Sequence, residues 1–241
     1  MADIETKKRK GLRQDDLLLA PRDPRSELTV VCDPAGYDWS TDTRPVPKII
    51  HQVWVGPREP PSDTLKMKSY AAKIGWDYRL WRESDIDSLE LGQETLSTLH
   101  YNLRRTCWRG ASNIMRYAAI LKHGGVYLDC DWILRDETRD ISDVLPLTGL
   151  SAVPEWGSRQ VGVGALFLEN SVIACPPYNS IIKRCLDSVH RNNVAIHKTW
   201  LQGNSVSTTG PFLFNRCLYG SFHIISPHTW NEWFGRVNHN V

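Results

Sequence analysis

One stretch constrains the fold more than any other. Residues 110–123, GASNIMRYAAILKH, run into Gly124-Gly125, then Val126-Tyr127-Leu128, then Asp129-Cys130-Asp131. The segment has helical character and is apolar nearly all round, which predicts a largely buried helix. Two glycines end it, and a short β-rich run starts at once. Helix, glycine stop and strand in so few residues make a compact α/β crossover.

Upstream, Ile49, Ile50, Val53 and Val55 form a strand closed by Gly56-Pro57. Residues 62–74 read as a helix with Ser62 or Asp63 as N-cap and Gly75 beyond its end. A strand over 78–81 and two helical pieces over 84–105 follow. Further on, the pattern predicts a strand at 163–168, helices at 177–190 and 208–218, and a strand at 222–226. Such alternation indicates an α/β fold with a mostly parallel central sheet flanked by helices. Residues 1–46 are polar and carry Pro21, Pro24, Pro34 and Pro45. They read as a partly disordered arm before a folded unit spanning 47–241.

The chemistry concentrates at the end of the 126–128 strand, where ligands of open α/β sheets bind. In an extended conformation Asp129 and Asp131 would point to the same side. Two carboxylates there offer hard oxygen ligands to Mg²⁺ or Mn²⁺. The chain contains its own control, because Asp85-Ile86-Asp87 is also an Asp-x-Asp triplet. It lies in polar helix-or-turn sequence, and residues i and i+2 of a helix do not face each other; it reads as solvated surface. On the preceding helix, Asn113, Arg116, Tyr117 and Ile120 share a face. A buried Arg needs an anion, which for Arg116 is either a nearby carboxylate or a ligand. Trp54, near the end of the first strand, is either core filler or a platform for a flat ring.

Composition narrows the partners. The formal net charge is +2, too small to argue for nucleic acid or an anionic membrane. Hydrophobic residues make up 41% and no apolar run approaches a membrane span. The Lys7–Lys10 run reads as solvated tail rather than an address. Cysteines 32, 107, 130, 175, 185 and 217 contain no C-x-x-C pair, so buried thiols are expected, with one or two disulfides as the alternative in an oxidising compartment. A G-x-x-x-x-G-K-[ST] phosphate loop is missing.

Taken together, VPKIIHQVWVG, DYRLW, RGASNIMRYAAILKHGGVYLDCDWIL and TGPFLF resemble the sugar transferases with a DXD sugar-binding region. That family includes fungal initiation-specific α-1,6-mannosyltransferases and, more distantly, the glucosylating clostridial toxins. The resemblance covers residues 46 to 226. It implies a GT-A-type nucleotide-diphospho-sugar transferase fold, a GDP- or UDP-sugar donor, Mn²⁺ (or Mg²⁺), and retention of anomeric configuration. By motif it makes Asp129 and Asp131 the pair that meets ribose and metal. Trp54 becomes the base-stacking residue, Val53 a backbone hydrogen-bonding partner, and Arg116 the contact to donor sugar or phosphate. Gly124 and Gly125 set the DXD strand, with Gly125 counted in the donor site. Glu169 and Asn170 fall on the acceptor side.

Two departures qualify this reading. Asn113 stands where the family usually has Asp, and an amide cannot replace a carboxylate acceptor. The family's His-containing C-terminal stretch has His239 as its counterpart toward the metal, with His228 as a second candidate. The resemblance therefore implies a retaining transferase moving a hexose, mannose first, to a glycan, lipid or protein acceptor. The alternatives are a nucleotide- or glycan-binding module with weak or lost activity, or a metal-dependent hydrolase of nucleotide-sugars. Compartment stays open: the relatives point to the Golgi or secretory pathway, while MADIETKKRKGLRQDD shows no apolar leader, which leaves the cytoplasm as the alternative.

Overall fold

A computed structural model of the protein describes residues 18–19, 26–32, 42–154, 167–197, 204–218, 220–225, 230–231 and 233–236. In chain order the strands are β1 (Leu18–Leu19), β2 (Ser26–Cys32), β3 (Ile49–Val53), β4 (Asp77–Trp81), β5 (Gly125–Leu128), β6 (Trp132–Leu134), β7 (Leu150–Pro154), β8 (Leu168–Cys175), β9 (Gly220–Ile225) and β10 (Phe234–Arg236). The helices are α1 (Asp63–Lys73), α2 (Gln93–Arg104), α3 (Trp108–His123), α4 (Ser180–His197), α5 (Ser205–Thr208) and α6 (Pro211–Arg216).

The main sheet has the order β1-β2-β9-β7-β8-β5-β3-β4. β3 runs parallel to β4 and β5, and β7 runs parallel to β9. β8 lies antiparallel to both β5 and β7. Thus β9, β7, β5, β3 and β4 share one direction, and the centre of the sheet is mostly parallel, as the alternation of elements indicated. β10 and β6 form a separate antiparallel pair.

The sheet is covered on both faces, and β5 shows how. Val126 and Leu128 join a core with Ile50, Tyr70, Trp132 and Trp230. Tyr127 joins the opposite core with Trp81, Ile114, Tyr117 and Phe214. This is the two-residue period of a strand buried on both sides. Helix α3 is the centre of the second core: Ala111, Ile114, Met115, Tyr117 and Ile120 are all fully buried. Each large apolar side chain so placed contributes about 2 kcal/mol.

The glycines after α3 are steric requirements. Gly124 has φ +65° and Gly125 φ +97°. A Cβ on Gly124 would lie 2.7 Å from the Pro177 nitrogen, and one on Gly125 would lie 2.6 Å from the Ile49 carbonyl oxygen. Only glycine lets the chain leave α3, turn, and enter the sheet beside β3.

Several boundaries differ from the sequence reading. The strand expected at 163–168 begins at Leu168 and runs to Cys175; residues 163–166 lie outside the described residues. Glu169-Asn170-Ser171 interrupts the apolar pattern, yet all of β8 is buried, because its polar groups are bonded inside the fold. The helix expected at 208–218 is two short helices separated at Thr209-Gly210, with Pro211 starting the second. β6 and β10, three residues each, are too short to announce themselves, and the sequence reading misses β7 as well. Part of the stretch read as an N-terminal arm is in the sheet: β2 pairs antiparallel with β9, and β1 with β2. Its alternating SELTVVC pattern was masked by the prolines around it.

Candidate active site

A cavity of about 890 Å³ opens where the parallel strands β3 and β5 end. Its wall includes Val53 and Trp54 from the end of β3, Asn113 and Arg116 from α3, and Asp129 and Asp131 after β5. Asn170 from β8 also reaches it. The size suits a compact ligand with several polar groups.

The two aspartates are not extended. The Trp132 amide donates to the Asp129 carbonyl at 3.1 Å, so Asp129–Trp132 is a β-turn. This corrects the expectation that alternation alone would align the carboxylates; the turn brings both to the cavity. The turn is pinned to β3. Gln52 Nε2 donates to the Asp129 carbonyl at 3.3 Å, and Tyr78 holds Gln52 through a 2.9 Å bond to its Oε1. The Cys130 thiol points at the Val53 carbonyl at 3.4 Å. Burial pushes this thiol's pKa up, so it serves as an inert anchor.

The carboxylates have different surroundings. Asp129 Oδ1 accepts from Arg116 Nη2 at 2.5 Å and from the Tyr127 hydroxyl at 2.7 Å. Tyr127 and Asp129 meet because they are two residues apart at the strand end. The Arg116 guanidinium also donates to the Asn170 carbonyl and lies 4.3 Å from the centroid of the Tyr127 ring. Burial is the largest influence and opposes its charge, but the Asp129 carboxylate together with the Tyr127 and Tyr117 hydroxyls outweighs it and raises the pKa. The anion that Arg116 needs is thus Asp129, and the residue also lines the cavity.

Asp131 is less well served. Its Oδ1 is buried without a hydrogen-bond partner among the described residues, and its Oδ2 lies 3.8 Å from Arg236 Nε. Burial, then the charge of Asp129, push its pKa up to about 6 against the pull of Arg236. A carboxylate on the cavity wall with one buried oxygen that lacks a donor fits a cation. The two aspartates are the carboxylates available for one; among the described residues no cluster of three or more His, Cys, Asp or Glu side chains exists.

The amide at position 113 also finds a physical reason. Asn113 Nδ2 donates to Thr209 Oγ1 at 3.2 Å, and Thr209 commits its own proton to the Ser205 carbonyl at 3.3 Å. Asn113 Oδ1 accepts from Asn170 Nδ2 at 3.2 Å, and Asn170 Nδ2 also donates to the Tyr117 hydroxyl at 3.0 Å. An aspartate at 113 would set an acceptor against the Thr209 oxygen.

Trp54 is half-buried and borders the cavity, with its indole N–H donating to the Arg58 carbonyl at 2.7 Å. Gly125, counted in the donor site from the sequence, does not line the cavity: it opens β5 beside Ile49, at the strand end away from the aspartates, and its role is to let the chain enter the sheet. Glu169 is also off the cavity wall, accepting from the Ser171 hydroxyl and from Arg236 Nη2 at 2.8 Å. His239 and His228 lie outside the described residues. The control triplet is structural: Asp85 accepts from the Arg82 amide at 2.8 Å and starts the 3₁₀ turn Glu83–Leu89.

Sequence reasoning missed Trp108, Arg109 and Ser112, which also line the cavity. Arg109, Ser112 and Arg116 follow one helical stripe, so the spacing carried a signal. Nothing in the sequence pointed to Arg236, which reaches the site through the β6–β10 pairing.

Comparison with known proteins relates the chain to glycosyltransferases. Residues 62–147 match the family described as a glycosyltransferase sugar-binding region containing a DXD motif. Over 98 residues the chain is 28% identical to an uncharacterized glycosyltransferase of Acanthamoeba polyphaga mimivirus; the match covers 39% of each chain, well under half of that relative's length. Among solved structures, the PaToxG glycosyltransferase superposes with a TM-score of 0.58 at 20% identity, covering 75% of this chain and 71% of that one. That likeness shows the fold, which is of the GT-A type. The UDP-bound glycosyltransferase domain of the YGT toxin, at TM-score 0.46 and 10% identity over 78% of this chain and 82% of that one, is too distant to add to it.

Proposed function

We propose that this chain, which carries the DXD-containing sugar-binding region of glycosyltransferases on a GT-A-type fold, transfers a hexose from a nucleoside-diphosphate sugar to an acceptor. The transferase domain is built mainly from residues 47–241, with β1 and β2 adding two strands to its sheet. Mannose is the first sugar to test, and a glycan, lipid or protein the acceptor. The observation that carries the proposal is the pairing of a buried, permanently charged Arg116 with Asp129, beside an unpartnered Asp131 oxygen, on one cavity wall.

On this reading Asp129 and Asp131 hold a divalent cation, Mn²⁺ or Mg²⁺, with ligand oxygens completing its shell. The cation supplies charge neutralisation for a leaving diphosphate. Arg116 is fixed by Asp129 and the Asn170 carbonyl, so its remaining donors meet phosphate or sugar oxygens without reorganisation. Trp54 offers its ring to the base, and the Val53 backbone borders the same end. Asn113 and Asn170 present neutral amides to the sugar.

The geometry supports retention by same-face attack. A double displacement needs a free carboxylate at the sugar. Glu169 is bonded to Ser171 and Arg236 and does not border the cavity. Asp129 is held by Arg116 and Tyr127.

The test is a donor screen. Purified protein with Mn²⁺ is offered GDP- and UDP-hexoses, with and without acceptor mixtures, and released diphosphate and product are measured. Turnover abolished by Asp131→Ala supports the proposal. Tight nucleotide binding without transfer or hydrolysis from any donor would favour a binding module instead. Release of free sugar that no acceptor diverts would favour a hydrolase.

A further inference from the structure

Arg236 contacts two carboxylates at the edge of the site. Its Nη2 donates to Glu169 Oε2 at 2.8 Å, and its Nε lies 3.8 Å from Asp131 Oδ2. The guanidinium also lies over the Trp132 ring, 4.6 Å from its centroid. Register explains the placement. In the β6–β10 pair Arg236 lies opposite Trp132, the residue after Asp131. This short antiparallel strand pair thus delivers a cation to the DXD turn from a position about a hundred residues later.

The two contacts are unequal. Glu169 is nearly buried, with its side chain 11% exposed, and takes a direct hydrogen bond. Asp131 takes only a looser ion pair without a hydrogen bond and keeps its other oxygen unpartnered among the described residues. Arg116 makes no hydrogen bond to Asp131 in the structure, its Nη1 and Nη2 donating to the Asn170 carbonyl and Asp129.

We infer that Arg236 is a resident counter-cation of the DXD site: it shares its charge between Glu169 and Asp131 in the metal-free protein, and a divalent ion must compete with it for Asp131. This rests on the metal-binding reading above and adds a regulator to it. A guanidinium and a divalent ion on the same carboxylate repel each other. At a separation of roughly 5 Å in a water-like dielectric that repulsion weakens metal binding about tenfold. Metal alone therefore binds weakly, and tight binding requires the negative charge of a nucleoside diphosphate. Coupling of this kind is reciprocal, so the metal tightens the nucleotide by the same factor.

The experiment is a Mn²⁺ titration of the whole protein without donor, followed by the EPR signal of free Mn²⁺, and repeated with GDP and with UDP. Arg236→Gln is expected to tighten Mn²⁺ binding to the nucleotide-free protein about tenfold. Arg236→Lys, which keeps the charge, stays near the parent, as does Lys66→Gln, which removes a distant surface charge. Unchanged or weaker binding by folded Arg236→Gln overturns the inference. If that variant does not fold, the parent protein decides. The Nε–Hε NMR signal of Arg236, assigned by its loss in Arg236→Lys, must shift on saturation with Mg²⁺; a signal that stays put while the ion binds refutes competition. Failure of every variant and of the parent to bind Mn²⁺, with nucleotide or without, removes the metal reading itself. Normal nucleotide-dependent binding with no effect of Arg236→Gln removes only the inference.

Discussion

The two aspartates of the DXD turn should affect stability in opposite directions in the absence of metal. Asp129→Asn keeps the shape of the side chain and removes its charge. Arg116 then stays ionised with its side chain only 4% exposed, while the Asp129 position is 30% exposed. Breaking a fully buried pair costs about 3–5 kcal/mol; partial access of water to position 129 reduces this to about 2 kcal/mol. The Tyr127 hydroxyl and the Asn170 carbonyl keep their bonds, which sets the lower figure. Asp131→Asn removes a charge whose Oδ1 has no donor and whose neighbour is another carboxylate. Removing a buried charge that is repelled by Asp129 is worth about 1 kcal/mol, offset in part by the lost attraction to Arg236. The variant should be neutral to slightly more stable than the parent. Urea unfolding in EDTA at pH 8, followed by far-UV circular dichroism, measures both. Equal losses, or a larger loss for Asp131→Asn, would refute the assignment of Asp129 as the structural partner and Asp131 as the unsatisfied group.

Trp54→Ala should weaken nucleoside diphosphate binding by about 1–3 kcal/mol, by analogy with base stacking on aromatic side chains, with Trp54→Phe recovering part of it. Calorimetry checks this, and loss of near-UV structure in Trp54→Ala would show that the ring is core filler instead. His51, fully buried, hydrogen-bonds Gly124 O through Nε2 at 2.9 Å and accepts from Trp81 Nε1 at 3.0 Å. Burial depresses its pKa from 6.5 to about 3. The unfolded chain therefore takes up this proton first, so the contribution of neutral His51 is complete above pH 6.5 and is lost as pH falls toward 3. The loss is on the order of 3 kcal/mol by pH 4, and His51→Gln should flatten that part of the pH–stability curve; an unchanged slope counts against it. Gly125→Ala should cost about 2–4 kcal/mol from positive-φ strain and the contact with Ile49. A melting temperature within a degree of the parent's would show that the β5 entry is more pliable than its geometry implies.

Local chemistry determined the central unit of this protein in the sequence itself. Residues 110–131 specify a buried helix, a stop and a strand, because apolar all-round character, two glycines and a β-rich run each act over a few residues. That fixed α3, β5 and the position of Asp129 and Asp131, and the folded chain places Val53, Trp54, Asn113, Arg116 and Asn170 on the same cavity. The sequence could also dismiss Asp85-Ile86-Asp87, whose polar surroundings predict surface. It could not decide what depends on distant segments meeting. The partner of Arg116 and the turn at Asp129–Trp132 emerge only when the sheet is assembled. So does the reason for Asn113, which is a proton already committed between Thr209 and Ser205. β8 was misplaced because its polar residues are bonded by groups from α3, β6 and β10, which a periodicity scan along the chain does not see. Arg236 reaches Asp131 through strand register, and register is set by pairing across the fold rather than by neighbours along the chain.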